Sequence, residues 1–243
     1  MKYKAILYDM DGTLIPMDMK QFSVGYFRFL YEKCKGLSSL PDFGPFVDAV
    51  WKGTHAMARN DGTVLNRERF WETFCALTGM NREQMEPLCD DFYANEFKKA
   101  VMFTEPNPLA GEAIRISHEK APIVALATNP LFPMAGQLTR MSWIGLTPAD
   151  FDLVTAYETD SFCKPNPEYY RTVCSRLNVL PSECLMIGND EREDMAAASS
   201  LGIDCYLVTD TAIYNPDYPW TGKSGSFAEL VDFLSELEPC SEN

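Results

Sequence analysis

The chain has 243 residues, of which 46% are hydrophobic and 23% are charged, a composition typical of a soluble globular protein with a sizeable core. Its formal net charge of -14 repels the phosphate backbone of nucleic acids, which argues against nucleic acid as a partner. No apolar run approaches the roughly 18 residues of a membrane span, so we expect no membrane partner either.

The start of the chain and its eight cysteines point to a cytoplasmic location. Residues 1–4 do not begin the long apolar segment of a signal peptide. The cysteines are scattered without any Cys-x-x-Cys pair, which argues against a thiolate zinc site and against a disulfide framework. We therefore predict a cytoplasmic protein with reduced thiols.

Two aspartates follow the first predicted strand. The apolar run over 5–8 predicts a buried strand, and Asp9 and Asp11 come directly after it. Strand alternation directs both side chains to the same side, at the edge where open α/β sheets build their sites. Because like charges packed together are costly without a cation or a shared proton, the pair favours a functional interpretation.

Helical periodicity then continues for about ninety residues. The pattern predicts four amphipathic helices, and Asp18, Asn66 and Asn81 are candidate N-caps of the first, third and fourth. Short loops between amphipathic helices are typical of a small helical bundle.

One face of the second predicted helix carries groups that could contact an anion. Lys52, His55 and Arg59 are three and four residues apart, so they share a helical face. In an acidic protein this stripe would suit a substrate-sensing role, whereas most charged stripes are simply solvated faces. The sequence leaves both interpretations open.

From residue 106 onward, predicted strands and helices alternate. The strands are predicted over 123–127, 153–156, 184–187 and 203–208, and the helices over 134–143, 168–177, 192–201 and 227–234. This alternation implies right-handed crossovers and a parallel sheet. The predicted fold class is α/β, with a Rossmann-like parallel sheet, helices on both of its faces and an inserted cap of four α-helices. The core domain is predicted to comprise residues 1–16 and 102–243, and the cap domain residues 17–101.

Polar residues follow further predicted strands or precede the next helix. Thr128 and Asn129 follow the strand over 123–127, Lys164 precedes a helix, and Asp190 and Asp194 follow the strand over 184–187. Because the carboxyl ends of parallel strands meet at one edge, we expect these side chains to gather there with the two aspartates of the first strand. Helix N-termini at the same edge favour anions.

These residues resemble the four motifs of the haloacid-dehalogenase superfamily, and the resemblance covers the whole chain. The motifs occur in order as an Asp-x-Asp-x-Thr, a strand-end threonine, a lysine ahead of a helix and an acidic pair, here Asp9/Asp11/Thr13, Thr128, Lys164 and Asp190/Asp194. The helical insertion resembles the family's C1-type cap. The resemblance implies the same α/β fold that the alternation of strands and helices predicts.

The fourth motif departs from the commoner family pattern, which places an aspartate directly after the glycine. Here Asn189 stands between Gly188 and Asp190, although Asp190 and Asp194 keep their separation of four residues. The acidic pair is therefore carried over, and which of its two members ligates the metal directly stays open.

The resemblance implies a Mg²⁺-dependent phosphatase that acts on small phosphate monoesters. Asp9 would be the nucleophile that forms an aspartyl-phosphate, and Asp11 the general acid and base. Mg²⁺ would be held by Asp9, the backbone carbonyl of Asp11 and Asp190, with Asp194 as a direct or water-mediated ligand.

The resemblance also implies a phosphate-binding set. Thr128 would hydrogen-bond a phosphoryl oxygen, and Lys164 would offset the charge of the phosphate and of Asp9. Asn129 would either contact the substrate or serve the turn. The expected partner is a small phosphorylated metabolite, and the chain is expected to be a monomer or a homodimer.

Two alternatives to hydrolysis of a phosphate ester remain. A phosphomutase of the same family would pass the phosphoryl group to a second hydroxyl, and a binding or regulatory protein on the same fold would be catalytically silent. Dehalogenation is disfavoured because Asp11 supplies an acid that a departing halide does not need.

Overall fold

The structure, a computed structural model, describes residues 3–37 and 40–240. Its strands are β1 (Ala5–Tyr8), β2 (Ile123–Leu126), β3 (Leu153–Val154), β4 (Cys184–Gly188), β5 (Asp204–Val208) and β6 (Lys223–Gly225). They form one sheet in the order β3-β2-β1-β4-β5-β6, and every neighbouring pair is parallel. The predicted parallel α/β sheet is confirmed.

The central position of β1 determines where the site lies. β1 pairs with β2 on one side and β4 on the other, and Tyr8 is in register with both Leu126 and Ile187. All four residues of β1 are buried, as expected for an apolar strand covered on both faces. The three strands end within one residue of one another, so the residues that follow β1 lie in the middle of the carboxyl edge.

Helices cover both faces of the sheet, as predicted. They are α1 (Met19–Cys34), α2 (Phe43–Ala58), α3 (Asn66–Thr78), α4 (Arg82–Ala94), α5 (Ala110–Lys120), α6 (Met134–Trp143), α7 (Pro167–Leu177), α8 (Ala197–Ser199) and α9 (Phe227–Glu236). Ile6 and Tyr8 share a hydrophobic cluster with α5 and α9, whereas Leu7 packs with α7 and α8 on the other face. Among the described residues, no helix is both long and apolar enough to cross a membrane.

Shorter helical segments complete the described chain. Three 3-10 segments are Glu96–Phe103, Pro148–Asp150 and Pro181–Glu183, and a π-helical segment, Glu191–Ala196, leads into α8. The predicted α-helix over 192–201 is therefore wrong in type for its first half. There the backbone bends so that Asp190 accepts hydrogen bonds from two N–H groups of the next turn.

The predicted helical cap is present between β1 and β2. It consists of α1 to α4 followed by the 3-10 segment Glu96–Phe103. The two connections to the sheet run side by side, since Met17 and Thr104 form an antiparallel bridge and Glu105 N–H donates to Pro16 O at 2.8 Å. The domain bounds of 1–16, 17–101 and 102–243 stay a prediction, and residues 1–2, 38–39 and 241–243 lie outside the described part of the chain.

The cap is packed onto the core by aromatic rings and by backbone hydrogen bonds. Phe97 of the cap lies 5.9 Å from the ring of Phe132 and 5.4 Å from that of Trp143. At the N-terminus of α3, the backbone N–H of Asn66 donates to Asp160 O of the core at 2.9 Å. One hydrophobic cluster thus extends from the sheet into the cap.

Two of the three predicted helix caps are confirmed. The side chains of Asp18 and Asn81 accept hydrogen bonds from the first turns of α1 and α4. The prediction for Asn66 is wrong, because Asn66 is the first helical residue and its buried side chain donates to Pro130 O at 3.2 Å. The free N–H groups of α3 find carbonyl acceptors on the core and need no side-chain cap.

Candidate active site

The loop after β1 holds its two aspartates in a tight turn. Asp9 N–H donates to Ile187 O of β4 at 2.9 Å, and Ile15 N–H donates to Met10 O at 2.9 Å. Gly12 has a φ of 85°, in the left-handed region, and a Cβ there would collide with the Asn189 amide. This turn therefore needs glycine both for its backbone conformation and for the close approach of the segment 189–194 that follows β4, the β4 loop.

Asp9 shares a buried lysine with the acidic pair that follows β4. Lys164 Nζ lies 2.9 Å from Asp9 Oδ1 and 2.7 Å from Asp194 Oδ1, and the lysine is only 1% exposed. Asp194 Oδ2 accepts hydrogen bonds from the N–H groups of Asn189 (3.0 Å) and Asp190 (3.1 Å). Both oxygens of Asp194 are thus engaged, and its carboxylate fixes the lysine to the β4 loop.

The charges in this cluster do not balance. Burial raises the pKa of Asp9; Lys164 opposes this rise, whereas Asp194 and Asp11 add to it. The pKa of Lys164, which burial alone would lower, is raised by Asp194 and by Asp9. One ammonium group therefore faces several carboxylates, and an additional cation would favour the ionised form of Asp9.

Asp11 contacts a cation that the sequence analysis did not identify. Arg140, in α6, has no exposed surface, and its Nη1 forms an ion pair with Asp11 Oδ2. Its Nη2 donates to Gln137 Oε1, and its guanidinium lies 4.0 Å from the ring centre of Phe132. Arg140 was missed because it lies in the last turn of an amphipathic helix, where a charged residue normally indicates a solvated face.

Thr128 and Asn129 follow β2 and line the same cavity as Asp9 and Asp11. Thr128 is buried, and its carbonyl oxygen accepts hydrogen bonds from Thr155 Oγ1 (2.6 Å) and from the Tyr169 hydroxyl (2.9 Å). Asn129 Nδ2 donates to Glu193 Oε2 at 2.9 Å. These contacts fix the backbone at the end of β2, so the position of the Thr128 side chain is set by the core.

Besides Asp194, the β4 loop contributes one acid that was predicted, Asp190, and one that was not, Glu193. Asp190 Oδ1 accepts hydrogen bonds from the N–H groups of Arg192 and Glu193, each at 2.8 Å. Burial raises the pKa of Glu193 to about 7, with further contributions from Asp190 and Asp194. The only sequence signal for Glu193 was its position between the two predicted acids.

Most of the predicted site residues line a single cavity of about 220 Å³. Its walls are Asp9, Asp11, Met19, Thr128, Asn129, Leu131, Phe132, Asn189, Asp190, Glu193, Asp194 and Ile213. Lys164 is not part of this wall and reaches the cavity through its contact with Asp9. The structure therefore brings the residues of all four motifs together at the carboxyl edge of the sheet.

The charged stripe of the second cap helix lies elsewhere. Lys52, His55 and Arg59 are exposed, and none of them lines this cavity. Lys52 forms an ion pair with Asp48 at 2.7 Å, and both side chains are more than half exposed. This geometry agrees with the interpretation of the stripe as a solvated face.

The oxygen donors of the cavity suit a hard divalent cation. Within the described residues, no three Asp, Glu, His or Cys side chains are arranged as a metal-binding group. The ligand set implied by the sequence needs only two carboxylates, those of Asp9 and Asp190, with the Asp11 carbonyl and waters, and Mg²⁺ commonly binds through one or two carboxylates. Five acidic side chains line the cavity, so a cation there would relieve their repulsion.

Comparison with known proteins agrees with this arrangement. A family model described as haloacid dehalogenase-like hydrolase matches residues 3–202. The phosphorylated carbohydrates phosphatase of Thermotoga maritima is 33% identical over 204 residues, covering 83% of this chain and 82% of that protein. The pyrophosphatase PpaX of Bacillus velezensis is 26% identical over 221 residues, covering 88% of this chain and 90% of that protein.

A solved structure shares the fold along nearly the whole chain. The crystal structure of YfnB from Bacillus subtilis, bound to magnesium, has a TM-score of 0.59, 20% sequence identity and coverage of 96% of this chain and 99% of that one. At this level of identity the likeness concerns the fold alone. Together with the match of the family model to most of the chain, it shows that the protein is an enzyme of the haloacid dehalogenase-like hydrolase family.

Proposed function

We propose that the protein is a Mg²⁺-dependent phosphatase that hydrolyses small phosphate monoesters through an aspartyl-phosphate on Asp9. The observation that carries this proposal is the position of Asp9 and Asp11 at the end of the central strand, in one cavity with Thr128 and the acidic pair. Two relatives that are named as phosphatases, one for phosphorylated carbohydrates and one for pyrophosphate, support it. A cavity of about 220 Å³ under a helical cap suits a small substrate.

The first chemical step forms the covalent intermediate. An oxygen of the Asp9 carboxylate attacks phosphorus while the bond between phosphorus and the ester oxygen breaks, and the proton of Asp11 passes to that oxygen. In the second step Asp11 takes a proton from water, the water oxygen bonds to phosphorus, and the bond to Asp9 breaks. The products are an alcohol and inorganic phosphate.

Neighbouring residues supply the charge balance and the phosphate contacts. Lys164 lies 2.9 Å from Asp9 Oδ1 and offsets negative charge on the nucleophile and on the incoming phosphate. Thr128 donates to a phosphoryl oxygen, and Asn129, which donates to Glu193, lines the same wall. Each of these groups acts from a position that core contacts fix in advance.

The metal would be held by Asp9, the Asp11 backbone carbonyl and Asp190. When bound, Mg²⁺ lowers the repulsion between the carboxylates and a phosphate dianion. Asp194 would act through a bound water at most, because its two oxygens already accept hydrogen bonds from Lys164 and from two backbone N–H groups.

The setting that we propose for this reaction is the cytoplasm. All eight cysteines are free, and six of them are buried. One pair, Cys174 and Cys184, has its sulfur atoms 3.9 Å apart as thiols. The substrate would be a small phosphorylated metabolite, and the protein would act as a monomer or a homodimer.

A phosphatase screen on native protein and the Asp9→Asn variant tests the proposal. The panel contains sugar phosphates, glycerol phosphates, other alkyl phosphates and p-nitrophenyl phosphate, each with Mg²⁺ and with a chelator. We expect release of inorganic phosphate that needs Mg²⁺ and falls at least about a thousandfold in Asp9→Asn, because the nucleophile is lost. Trapping of a phosphorylated protein by rapid quench and mass spectrometry would place the covalent intermediate.

Two results would contradict the proposal. An isomeric sugar phosphate in place of inorganic phosphate would indicate phosphoryl transfer between hydroxyls, as in a phosphomutase. Equal, near-zero rates for both proteins across the whole panel would favour a catalytically silent binding protein.

A further inference from the structure

We propose that Arg140 is a positioning residue that orients Asp11 for proton transfer, an inference that rests on the proposed function. The two residues lie far apart in sequence but meet in the core, where Arg140 Nη1 pairs with Asp11 Oδ2. Burying an arginine is costly unless its charge is paired and its N–H groups are bonded. The contacts of Nη1 and Nη2 therefore determine where the guanidinium lies, while the buried Nε has no hydrogen-bond partner among the described residues.

Three neighbours hold the guanidinium in one orientation. Asp11 contacts Nη1, Gln137 accepts from Nη2, and the ring of Phe132 lies 4.0 Å from the guanidinium carbon. Gln137 is itself fixed, since its Nε2 donates to Thr155 O at 2.9 Å. The planar fork of an arginine transmits this orientation to the carboxylate more strictly than an ammonium group would.

The two oxygens of Asp11 are in different situations. Oδ2 is anchored by Arg140, whereas Oδ1 is buried and has no hydrogen-bond partner among the described residues. Asp11 lines the cavity beside Asp9, so the oxygen of a leaving group or an attacking water could provide the missing partner. Oδ1 is therefore the atom that gives and takes the proton, and the anchor on Oδ2 prevents the carboxyl group from rotating away.

This division predicts a dependence on the leaving group. An alkyl alkoxide is a poor leaving group and needs a proton from Asp11, whereas p-nitrophenolate leaves readily without one. A residue that acts through Asp11 therefore matters for the first step on alkyl phosphates and much less for the first step on p-nitrophenyl phosphate. The second step is the same for both substrates, so the comparison uses kcat/KM, which reports the steps up to formation of the intermediate. A residue that only supports the fold would affect both substrates alike.

The kinetic test compares Arg140→Gln and Arg140→Lys on p-nitrophenyl phosphate and on the fastest alkyl phosphate of the panel. For Arg140→Gln we expect kcat/KM to fall about 100-fold on the alkyl phosphate and less than about threefold on the aryl phosphate, within the range of general acid catalysis. On the alkyl phosphate KM should change less than about threefold, because Arg140 does not contact substrate. Compared with Arg140→Gln, Arg140→Lys should recover part of the lost activity on the alkyl phosphate, since it keeps the positive charge but not the planar guanidinium.

A double-mutant cycle with Asp11→Asn tests whether Arg140 acts through Asp11. In the Asp11→Asn background, Arg140→Gln should change kcat on the alkyl phosphate by less than about threefold, because the group that it positions is already removed. Equal fractional losses of kcat in both backgrounds would overturn the inference, as would equal losses of kcat/KM on both substrates or a large rise in KM alone.

Matched variants keep the test independent of folding. Arg176→Gln removes an arginine that pairs with the buried Asp160 at 2.9 Å outside the cavity, and it should show no leaving-group dependence. If circular dichroism shows that Arg140→Gln is unfolded, Arg140→Lys and Gln137→Leu decide the outcome through the same substrate comparison. If Asp9→Asn is as active as the native protein, the proposed function fails and this inference with it; if only the substrate comparison fails, the proposed function stands.

Discussion

Lys164 and Arg140 are both buried cations that contact the loop after β1, but they do so in different ways. Lys164 lies between two carboxylates, those of Asp9 and Asp194. Arg140 contacts one carboxylate, that of Asp11, together with the neutral Gln137 amide and an aromatic ring. Lys164 therefore mainly compensates charge, whereas Arg140 mainly determines geometry.

The chemistry of the two side chains fits this difference. An ammonium group is a compact charge that can donate to several acceptors in many directions, whereas a guanidinium is a planar fork with fixed directions. The proposed nucleophile, Asp9, needs its charge offset without losing access to phosphorus. The proposed proton donor, Asp11, needs a defined direction. Each aspartate of the loop is thus paired with the cation that suits its proposed role.

The largest expected effect is on stability, from Lys164→Met. The change leaves Asp9 and Asp194 buried without their cation, and breaking a buried ion pair in this way costs about 3–5 kcal/mol. Arg140→Met should cost less, because it leaves a single carboxylate whose side chain is 15% exposed. Urea unfolding at neutral pH with a chelator present measures both free energies of unfolding.

The control for this comparison is Lys35→Met, since Lys35 is exposed and pairs with the exposed Glu32. Its free energy of unfolding should stay within about 0.5 kcal/mol of the native value. A larger loss of stability for Arg140→Met than for Lys164→Met would show that the assignment of charge compensation to Lys164 is wrong.

The next effect separates the two acids of the β4 loop by their need for Mg²⁺. Asp194 is held by Lys164 and by two backbone N–H groups, whereas within the described part of the chain only Oδ1 of Asp190 accepts hydrogen bonds. Asp190→Asn should raise the Mg²⁺ concentration for half-maximal activity more than about 100-fold. Asp194→Asn should raise it only about tenfold, as expected for a residue that contacts the metal ligands and not the metal itself. Mg²⁺ titrations of activity and calorimetric binding measure both, and the opposite ranking would make Asp194 the direct ligand.

The sequence predicted Lys164 but not Arg140, because the two residues lie in different local sequence patterns. Lys164 stands immediately before a proline and the first turn of α7, and its place in the order of the four motifs identified it. Arg140 lies in α6, where the usual burial pattern is inverted: Gln137 and Arg140 are buried while Leu138 is 41% exposed. Periodicity assigns polar residues to the solvent face, so it cannot detect a polar face that turns inward toward a site.

The same argument explains which parts of the fold were predictable. β1, β2 and β4 are uninterrupted apolar runs buried on both faces, and their positions follow directly from hydrophobicity. The π-helical segment after Asp190 differs from an α-helix in the spacing of its backbone hydrogen bonds, which no periodic pattern of side chains encodes. Edge strand β6 has only three residues, of which the first two are exposed, and this is too short to show an alternation.

The smallest expected effect concerns the cations of the cap. Lys52, His55 and Arg59 share one face of α2 but are exposed, so the triple change to glutamine should alter kcat/KM by less than about twofold and stability by less than about 0.5 kcal/mol. Steady-state kinetics on the fastest substrate of the panel checks this. A rise in KM of more than about tenfold with unchanged kcat would mean that this face contacts substrate, because uniform binding energy is then lost. A cation can position a reacting group only where contacts fix its own orientation, a condition that Arg140 meets and these three exposed side chains do not.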